Sequence, residues 1–377
     1  MTYQQQIHSI GLMLLMVSLA LGQDFTPLDD YVELQIDQKI FPGAVIGIQN
    51  GNSQYTFKYG RTEYPGDPED QALLKTSIFD LASVSKVVGC TTAAMLLWEQ
   101  GRLNIEESVQ YYIPEFPHPT VRIRHLLLHN SGLPADAPLG NRIWTKEEVL
   151  DWLYTKSTLL STPGQKYLYS DLSMVTLQQV IEVITETTLD VYLEENIFKP
   201  LGMQSTMFNP SAELKYRIPP TQRDEVVRKR LIWGEVHDPT AYYLGGVSGN
   251  AGLFSTVYDL IKFMQMMLGK NSLFKYETLL YWTKVEEGLP YANSRALGWD
   301  TVPIQTYPPC GSRFSKNSFG HTGYTGTSIW ADRDADLIVV ILTNRVYPDD
   351  KTSVVQFRYE ATNLIVNILK YQHELTQ

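Results

Sequence analysis

The chain has 377 residues, enough to bury a large core as one large domain or two intimate ones. It is 44% hydrophobic and 19% charged, an ordinary globular composition, with a formal net charge of −10. That charge and the lack of any long basic run exclude nucleic acid as an expected partner.

Ile10 to Leu21 is an apolar run of signal-peptide length, too short to span a bilayer comfortably. Ala20-Leu21-Gly22 offers a small-x-small cleavage site. Met1 to His8 lacks the usual Lys or Arg, which leaves an uncleaved anchor as the alternative. The expected organisation is a signal peptide over 1–22 and a mature domain over 23–377, placing the protein outside the cell or in the periplasm or cell envelope. There is no Asn-x-Ser/Thr sequon. Two cysteines, Cys90 and Cys310, are too few for a disulfide framework, and sequence cannot pair them; a buried free thiol is the expectation for Cys90.

A helix is expected over Leu28–Ile40. Two β-rich runs, Gly43–Gln49 and Ser53–Tyr59, flank Asn50-Gly51-Asn52 and predict a hairpin. Next comes Ile78-Phe79-Asp80-Leu81-Ala82-Ser83-Val84-Ser85-Lys86, a short apolar approach to a helix running to about Gln100 and stopped at Gly101. Ser83 and Lys86, three residues apart, fall on one helix face about one turn apart. A hydroxyl beside an amine at a helix N-terminus is a workable nucleophile, because the amine can take the proton and the first-turn N–H groups favour developing negative charge. Ser83 also reads as a simple N-cap. The spacing recurs at Ser272–Lys275, but there it follows Gly269-Lys270-Asn271, a helix stop and surface turn.

From there to about residue 270 the chain reads as helices and loops. Thr145–Glu148 is a capping box opening a helix through Tyr154. Asp171–Thr187 has the apolar side of a helix. Tyr169-Ser170-Asp171 sits ahead of it, after Pro163-Gly164. Tyr169 reads as a core anchor or as a proton shuttle whose phenolate would need a nearby cation, given a reference pKa of about 10; Lys86 is a source of that charge. Asp171 can also be read as the helix N-cap. Thr256 and Asp259 open another helix to Gly269. Thr327–Asp332 and Asp336–Thr343 are strands across a charged turn, and Ser353–Tyr371 is a terminal helix. His321-Thr322-Gly323-Tyr324 precedes the first of these strands. It reads either as a Gly-rich turn or as a strand edge where substrate lies and backbone N–H groups bind an oxyanion. One sheet is therefore built from both chain ends, about 40–82 and 295–377, with a mainly helical part over about 83–294 beside it.

Taken together, the order Ser83–Lys86, Tyr169–Asp171, His321–Gly323 resembles the class C β-lactamases and their relatives, the penicillin-binding D,D-peptidases and β-lactamase-like esterases. The resemblance spans nearly all of the mature sequence. It is supported by Phe41-Pro42-Gly43-Ala44, His125-Leu126-Leu127-Leu128-His129-Asn130-Ser131-Gly132-Leu133, Pro200-Leu201-Gly202-Met203 and Ala251-Gly252-Leu253-Phe254-Ser255-Thr256. It implies an α+β fold, an antiparallel sheet flanked by helices with an inserted helical subdomain and the active site in the cleft between them. It implies Ser83 as acylated nucleophile, Lys86 and Tyr169 as the proton-handling pair, and backbone N–H groups of Ser83 and Tyr324 as the oxyanion hole. Asp171, His321, Thr322 and Gly323 would contact substrate, a small molecule or peptide, with no cofactor and no metal. Two positions depart from the pattern. The second motif usually ends in Asn, here Asp171; the third usually begins with Lys in true β-lactamases, here His321. A mostly neutral His and an added carboxylate both weaken the expectation of an anionic substrate. Gly234-Glu235-Val236-His237-Asp238 also resembles a stretch in related hydrolases, where His237 and Asp238 either line the cleft or hold a loop.

His125 and His129 have metal-ligand spacing, but no Glu follows His125 as in H-E-x-x-H. G-x-S-x-G, P-loop and G-x-G-x-x-G patterns are absent. The expected function is a serine hydrolase acting through an acyl-enzyme on Ser83, on an ester or amide. The alternatives are a β-lactamase proper or a non-catalytic binding protein on the same scaffold. Oligomeric state is not legible.

Overall fold

A computed structural model describes residues 23–68, 70–291, 294–302 and 308–375. The expected signal segment, 1–22, lies outside the described residues. Helix α1 spans Thr26–Asp37, and the hairpin strands are β1 (Gly43–Asn50) and β2 (Ser53–Gly60). The late strands are β8 (Asp300–Thr301), β9 (Ser318–Thr322), β10 (Ser328–Asp332) and β11 (Leu337–Thr343). They form one six-stranded antiparallel sheet in the order β2-β1-β11-β10-β9-β8. The first and last long strands pair inside the sheet, with Ala44 opposite Thr343 and Asn50 opposite Leu337.

The run Leu337–Leu342 is continuously apolar because this strand is buried on both faces. Ile338, Val340 and Leu342 point into the larger core, with Val257, Leu260 and Ile261 of helix α5 (Val257–Met267). Leu337, Val339 and Ile341 point the other way, against Leu28 and Val32 of α1 and Phe357, Ala361 and Ile365 of the terminal helix α6 (Val355–Leu375). Gly47 of β1 lets α5 approach closely: a Cβ there would stand 3.0 Å from side-chain carbons of Val257 and Ile261. Cys90 and Cys310 are both free and buried, in different cores.

The part between the sheet's halves holds more strand than its sequence suggests. Helix α2 (Thr92–Glu99) and helix α3 (Asp171–Thr185) are accompanied by β3 (Phe79–Asp80), β4 (Met207–Phe208) and β7 (Leu253–Ser255), a small sheet ordered β3-β7-β4. A two-stranded ribbon, β5 (Gln222–Asp224) with β6 (Arg230–Ile232), and the short helix α4 (Pro239–Tyr243) complete it. Runs of two or three residues show no period that a sequence could reveal. The expected helix from Ser83 also starts differently. Residues 81–86 turn through successive i→i+3 bonds, Lys86–Thr91 is π-helical, and only Thr92–Glu99 is regular α-helix. The capping box at Thr145 is present, but its helix is α only to Asp151 before a π-turn over Trp152–Lys156.

Two hydroxyls join the large sheet to β3. Thr325 Oγ1 donates to the Asp80 carbonyl at 2.7 Å and Thr327 Oγ1 to the Leu81 carbonyl at 2.8 Å. The turn between β9 and β10 is thus pressed onto the turn that carries Ser83. Gly323 is required there: a Cβ would lie 2.2 Å from the Leu81 carbonyl oxygen and 2.1 Å from Thr327 Oγ1. Gly323→Ala is expected to cost roughly 1–3 kcal/mol, as overpacking does. A lowered urea midpoint together with slowed labelling of Ser83 would report it; unchanged values would show that the contact is not tight.

Candidate active site

Ser83 follows Ala82, whose φ of +46° is in the left-handed region, uncommon for a residue with a Cβ. The turn is held from outside. The Asp80 carboxylate accepts from the Ala82 N–H at 2.9 Å, Leu81 N–H donates to Leu253 O, and Ser85 Oγ accepts from the Leu253 N–H at 3.0 Å. The Ser83 hydroxyl caps no backbone N–H. It accepts from the Lys86 ammonium at 2.9 Å and also hydrogen-bonds with the Tyr169 phenol.

Lys86 is buried, and its Nζ also donates to the Asn250 carbonyl at 2.8 Å and pairs with Asp171 Oδ1 at 2.6 Å. The Tyr169 ring centroid is 4.9 Å from the same nitrogen. Burial works against the ammonium, but Asp171 and Tyr169 outweigh it and raise its hold on the proton. Burial pushes the Tyr169 phenol up, Lys86 pulls it back, and Asp171 adds to the rise. Asp171 is not the cap of α3. Ser170 is: its Oγ accepts from the Ser173 N–H at 3.1 Å. This leaves Asp171 at the first helical position, with its carboxylate free to reach Lys86.

Tyr169 is clamped by His129. The ring centroids are 4.5 Å apart, and His129 accepts from both flanking residues, from Leu168 N–H at its carbonyl and from Ser170 N–H at Nδ1. Burial, then Arg295 and Lys86, hold the imidazole neutral. His125 accepts the Arg122 N–H, so the two histidines serve separate local contacts. At Ser272 the second S-x-x-K spacing makes only a tight turn, its Oγ accepting the Phe274 N–H.

Two chambers open beside Ser83, and Ser83, Tyr169 and Tyr324 border both. One, of about 450 Å³, is also lined by His321, Thr322, Gly323, Arg295 and Arg358. The other, of about 670 Å³, is lined by apolar residues and by Asp136, Asp171 and Asp238. His237 and Asp238 both border this second chamber. They also serve structure: the His237 backbone N–H donates to Asp80, its Nε2 meets Gln222, and the Asp238 carboxylate caps α4 at Ala241. The N–H groups of Ser83 and Tyr324 donate to no other described residue, which leaves both available to an oxyanion.

A family model described as Beta-lactamase matches residues 28–361. The chain belongs to the beta-lactamase family. It is a serine hydrolase of that family. A protein of Escherichia coli strain K12 named "Putative D-alanyl-D-alanine carboxypeptidase" is 31% identical over 357 residues, 84% of this chain and 81% of that one. A protein of the same name from Salmonella agona is 34% identical over 370 residues, 86% and 83% of the two chains. Among solved structures, a class C beta-lactamase superposes with a TM-score of 0.73 at 18% identity, covering 91% of this chain and 95% of its own. EstCE1, described as a hydrolase with promiscuous acyltransferase activity, gives 0.69 at 21%, covering 89% and 97%. These two share the fold, an antiparallel sheet with flanking helices.

Of the residues that sequence reading singled out, Ser83, Tyr169, Asp171, His321, Thr322, Gly323 and Tyr324 line the two adjoining chambers, and Lys86 lies buried behind Ser83, 2.9 Å from its Oγ. Sequence reading missed Arg295, Arg358, Asp136 and the Asn250 carbonyl, and gave His129 no part in the site. Arg358 alone carried a signal, a cation between the apolar positions Phe357 and Ala361. Asp171→Asn removes the anion that raises both Lys86 and Tyr169. The pair should then lose its proton at lower pH, so the lower-limb midpoint of kcat/KM against pH is expected to move down. A midpoint that stays or rises would show that this pair does not set the limb.

Proposed function

We propose that this hydrolase cleaves the C-terminal residue from a D-amino-acid peptide through an acyl-enzyme on Ser83. The observation that carries the reading is the 2.9 Å contact between Ser83 Oγ and a buried Lys86 that Asp171 and Tyr169 also engage. In acylation, Ser83 Oγ bonds to the scissile carbonyl carbon while its proton passes toward Tyr169. To receive that proton Tyr169 reacts as its phenolate, an anion the Lys86 ammonium stabilises, and it becomes a neutral phenol. The carbonyl oxygen becomes an oxyanion between the N–H groups of Ser83 and Tyr324. The proton leaves with the departing amine, and water attacks the ester by the reverse route. Thr322 and Gly323 offer a strand edge to the substrate backbone, and Asp171 holds Lys86 as well as bordering the substrate's path.

The carboxypeptidase reading has its own support in charge. Arg295 pairs with Asp300 and Arg345 with Asp350. Arg358, only 7% exposed, donates to the carbonyls of Gly323 and Thr327 at 2.6 and 2.8 Å and has no carboxylate at ion-pair distance among the described residues. Burial, then Arg345, pushes its pKa down to about 9. A substrate carboxylate in this chamber would supply the missing counter-charge. The positive charge lost with the Lys of the third motif is thereby offset from the terminal helix. The relatives' carboxypeptidase names agree with this substrate class. With the apolar run 10–21, the reading places the protein at the cell envelope or beyond it. No helix among the described residues is long and apolar enough to cross a membrane.

Intact-protein mass after fluorophosphonate treatment is expected to show one adduct on wild type and none on Ser83→Ala, and a lasting adduct with penicillin. Labelling of Ser83→Ala would sink the nucleophile assignment; rapid turnover of penicillin would favour a β-lactamase proper. Arg358→Gln is expected to reduce kcat/KM for a peptide with a free C-terminal carboxylate by roughly tenfold or more relative to its C-terminal amide, from the loss of a charge-assisted contact. Equal losses on both substrates would remove the carboxylate role.

A further inference from the structure

His321 is 2% exposed, and its Nδ1 lies 2.8 Å from the Thr322 carbonyl oxygen. A carbonyl can only accept, so Nδ1 carries the proton and donates. In a neutral ring the other nitrogen, Nε2, is then a bare acceptor. Burial pushes the imidazole pKa down to about 4; Arg295 and Lys86 add to the fall, while Asp300 opposes it. Nε2 is buried and has no hydrogen-bond partner among the described residues. A buried acceptor left open in this way calls for a donor from elsewhere. The residue borders the chamber it shares with Ser83 and Tyr169, with its ring centroid 6.2 Å from that of Tyr169.

The position inverts the polarity of the usual third motif. A Lys there offers only donors, whereas His321 with Nδ1 tied offers only an acceptor. An arginine-lined chamber beside Ser83 suits an anion, yet His321 on its border carries an unpaired buried acceptor. A C-terminal amino acid residue matches both, because it joins a carboxylate to the N–H of the scissile amide. An ester has an oxygen in place of that N–H, and its lone pairs would face the Nε2 lone pair.

We propose that His321 Nε2 accepts the hydrogen bond of the scissile amide N–H and so selects amides over the matching esters. The inference rests on acylation at Ser83. In that step the bond from Ser83 Oγ to the carbonyl carbon forms, the C–N bond breaks, and the Ser83 proton reaches the leaving nitrogen through Tyr169. The nitrogen must turn its lone pair toward Tyr169 to receive that proton. Holding its N–H at His321 fixes this orientation, a positioning contribution that an ester oxygen does not need. A site built around a substrate N–H discriminates against an analogue without it, because the buried partner is left unpaired.

The test compares an acyl-D-amino acid with its depsipeptide, identical except for O in place of N–H. The ratio of kcat/KM, amide over ester, is measured for wild type, His321→Leu and His321→Gln. Leu removes the acceptor; Gln returns one near the position of Nε2. The ratio is expected to fall at least about tenfold in His321→Leu and to recover most of that loss in His321→Gln. An unchanged ratio in His321→Leu, or a ratio that Gln does not restore, would overturn the proposal; thermal melting of each variant verifies that the fold is retained. Fluorophosphonate labelling of wild type and Ser83→Ala runs alongside, since the probe has no leaving-group N–H. Labelling confined to Ser83 with an unmoved ratio refutes the role of His321 alone. Absence of labelling at Ser83 refutes the acylation reading and this inference with it.

Discussion

The cleft depends on one buried ammonium. Taking Lys86 out of water costs several kcal/mol unless oxygen atoms replace its hydration shell. The oxygens come from widely separated parts of the chain: Ser83 in the preceding turn, Asp171 at the start of α3 and the Asn250 carbonyl ahead of β7. Each of those segments is fixed for other reasons. Ser170 caps α3, and Ser85 holds β7 against the nucleophile turn. The ammonium therefore does not build the fold, but its solvation requires these elements to meet, and the meeting point is where Ser83 stands. The carboxylate that solvates Lys86 also strengthens its hold on the proton, so the same contact that secures the site restrains its reactivity.

Much of this was legible in the chain because the relevant signals are periodic or adjacent. The unbroken apolar run 337–342 announces a strand buried on both faces, and its antiparallel pairing with 43–50 makes one sheet from both ends. Ser83 and Lys86 are close in sequence, so a turn suffices to join them. What stayed hidden was set by tertiary contact. Asp171 has the same local features as an N-cap; only the position of Ser170, one residue earlier, and of Lys86, far away, decide between cap and ion pair. His129 belongs to an apolar helix-like stretch, and its backbone φ of +51° and its stack on Tyr169 exist only in the fold. Arg295 sits in a segment with no motif and Arg358 shows only as a cation among apolar helix positions; the relation of both to the cleft comes from chain reversals that no local pattern encodes.

Several uncomfortable features of the molecule converge on this cleft. Ala82 and His129 hold left-handed backbone conformations. His321 Nε2, His129 Nε2 and Arg358 Nε are buried without partners among the described residues. Each such feature costs stability in the free protein, since strain and unpaired polar groups are among the commonest sources of large destabilisation. A scaffold with two large apolar cores, one on each face of a six-stranded sheet, can carry them. The open groups are not interchangeable, however. On residues that border the arginine-lined chamber, His321 Nε2 is an acceptor and Arg358 Nε a donor on a cation, and a ligand that presents a donor and an anion together matches both. Selectivity then follows from what the empty site leaves unpaired: a ligand lacking either group keeps one buried group desolvated and unmatched, and binds or reacts less well for that reason, with no steric exclusion needed.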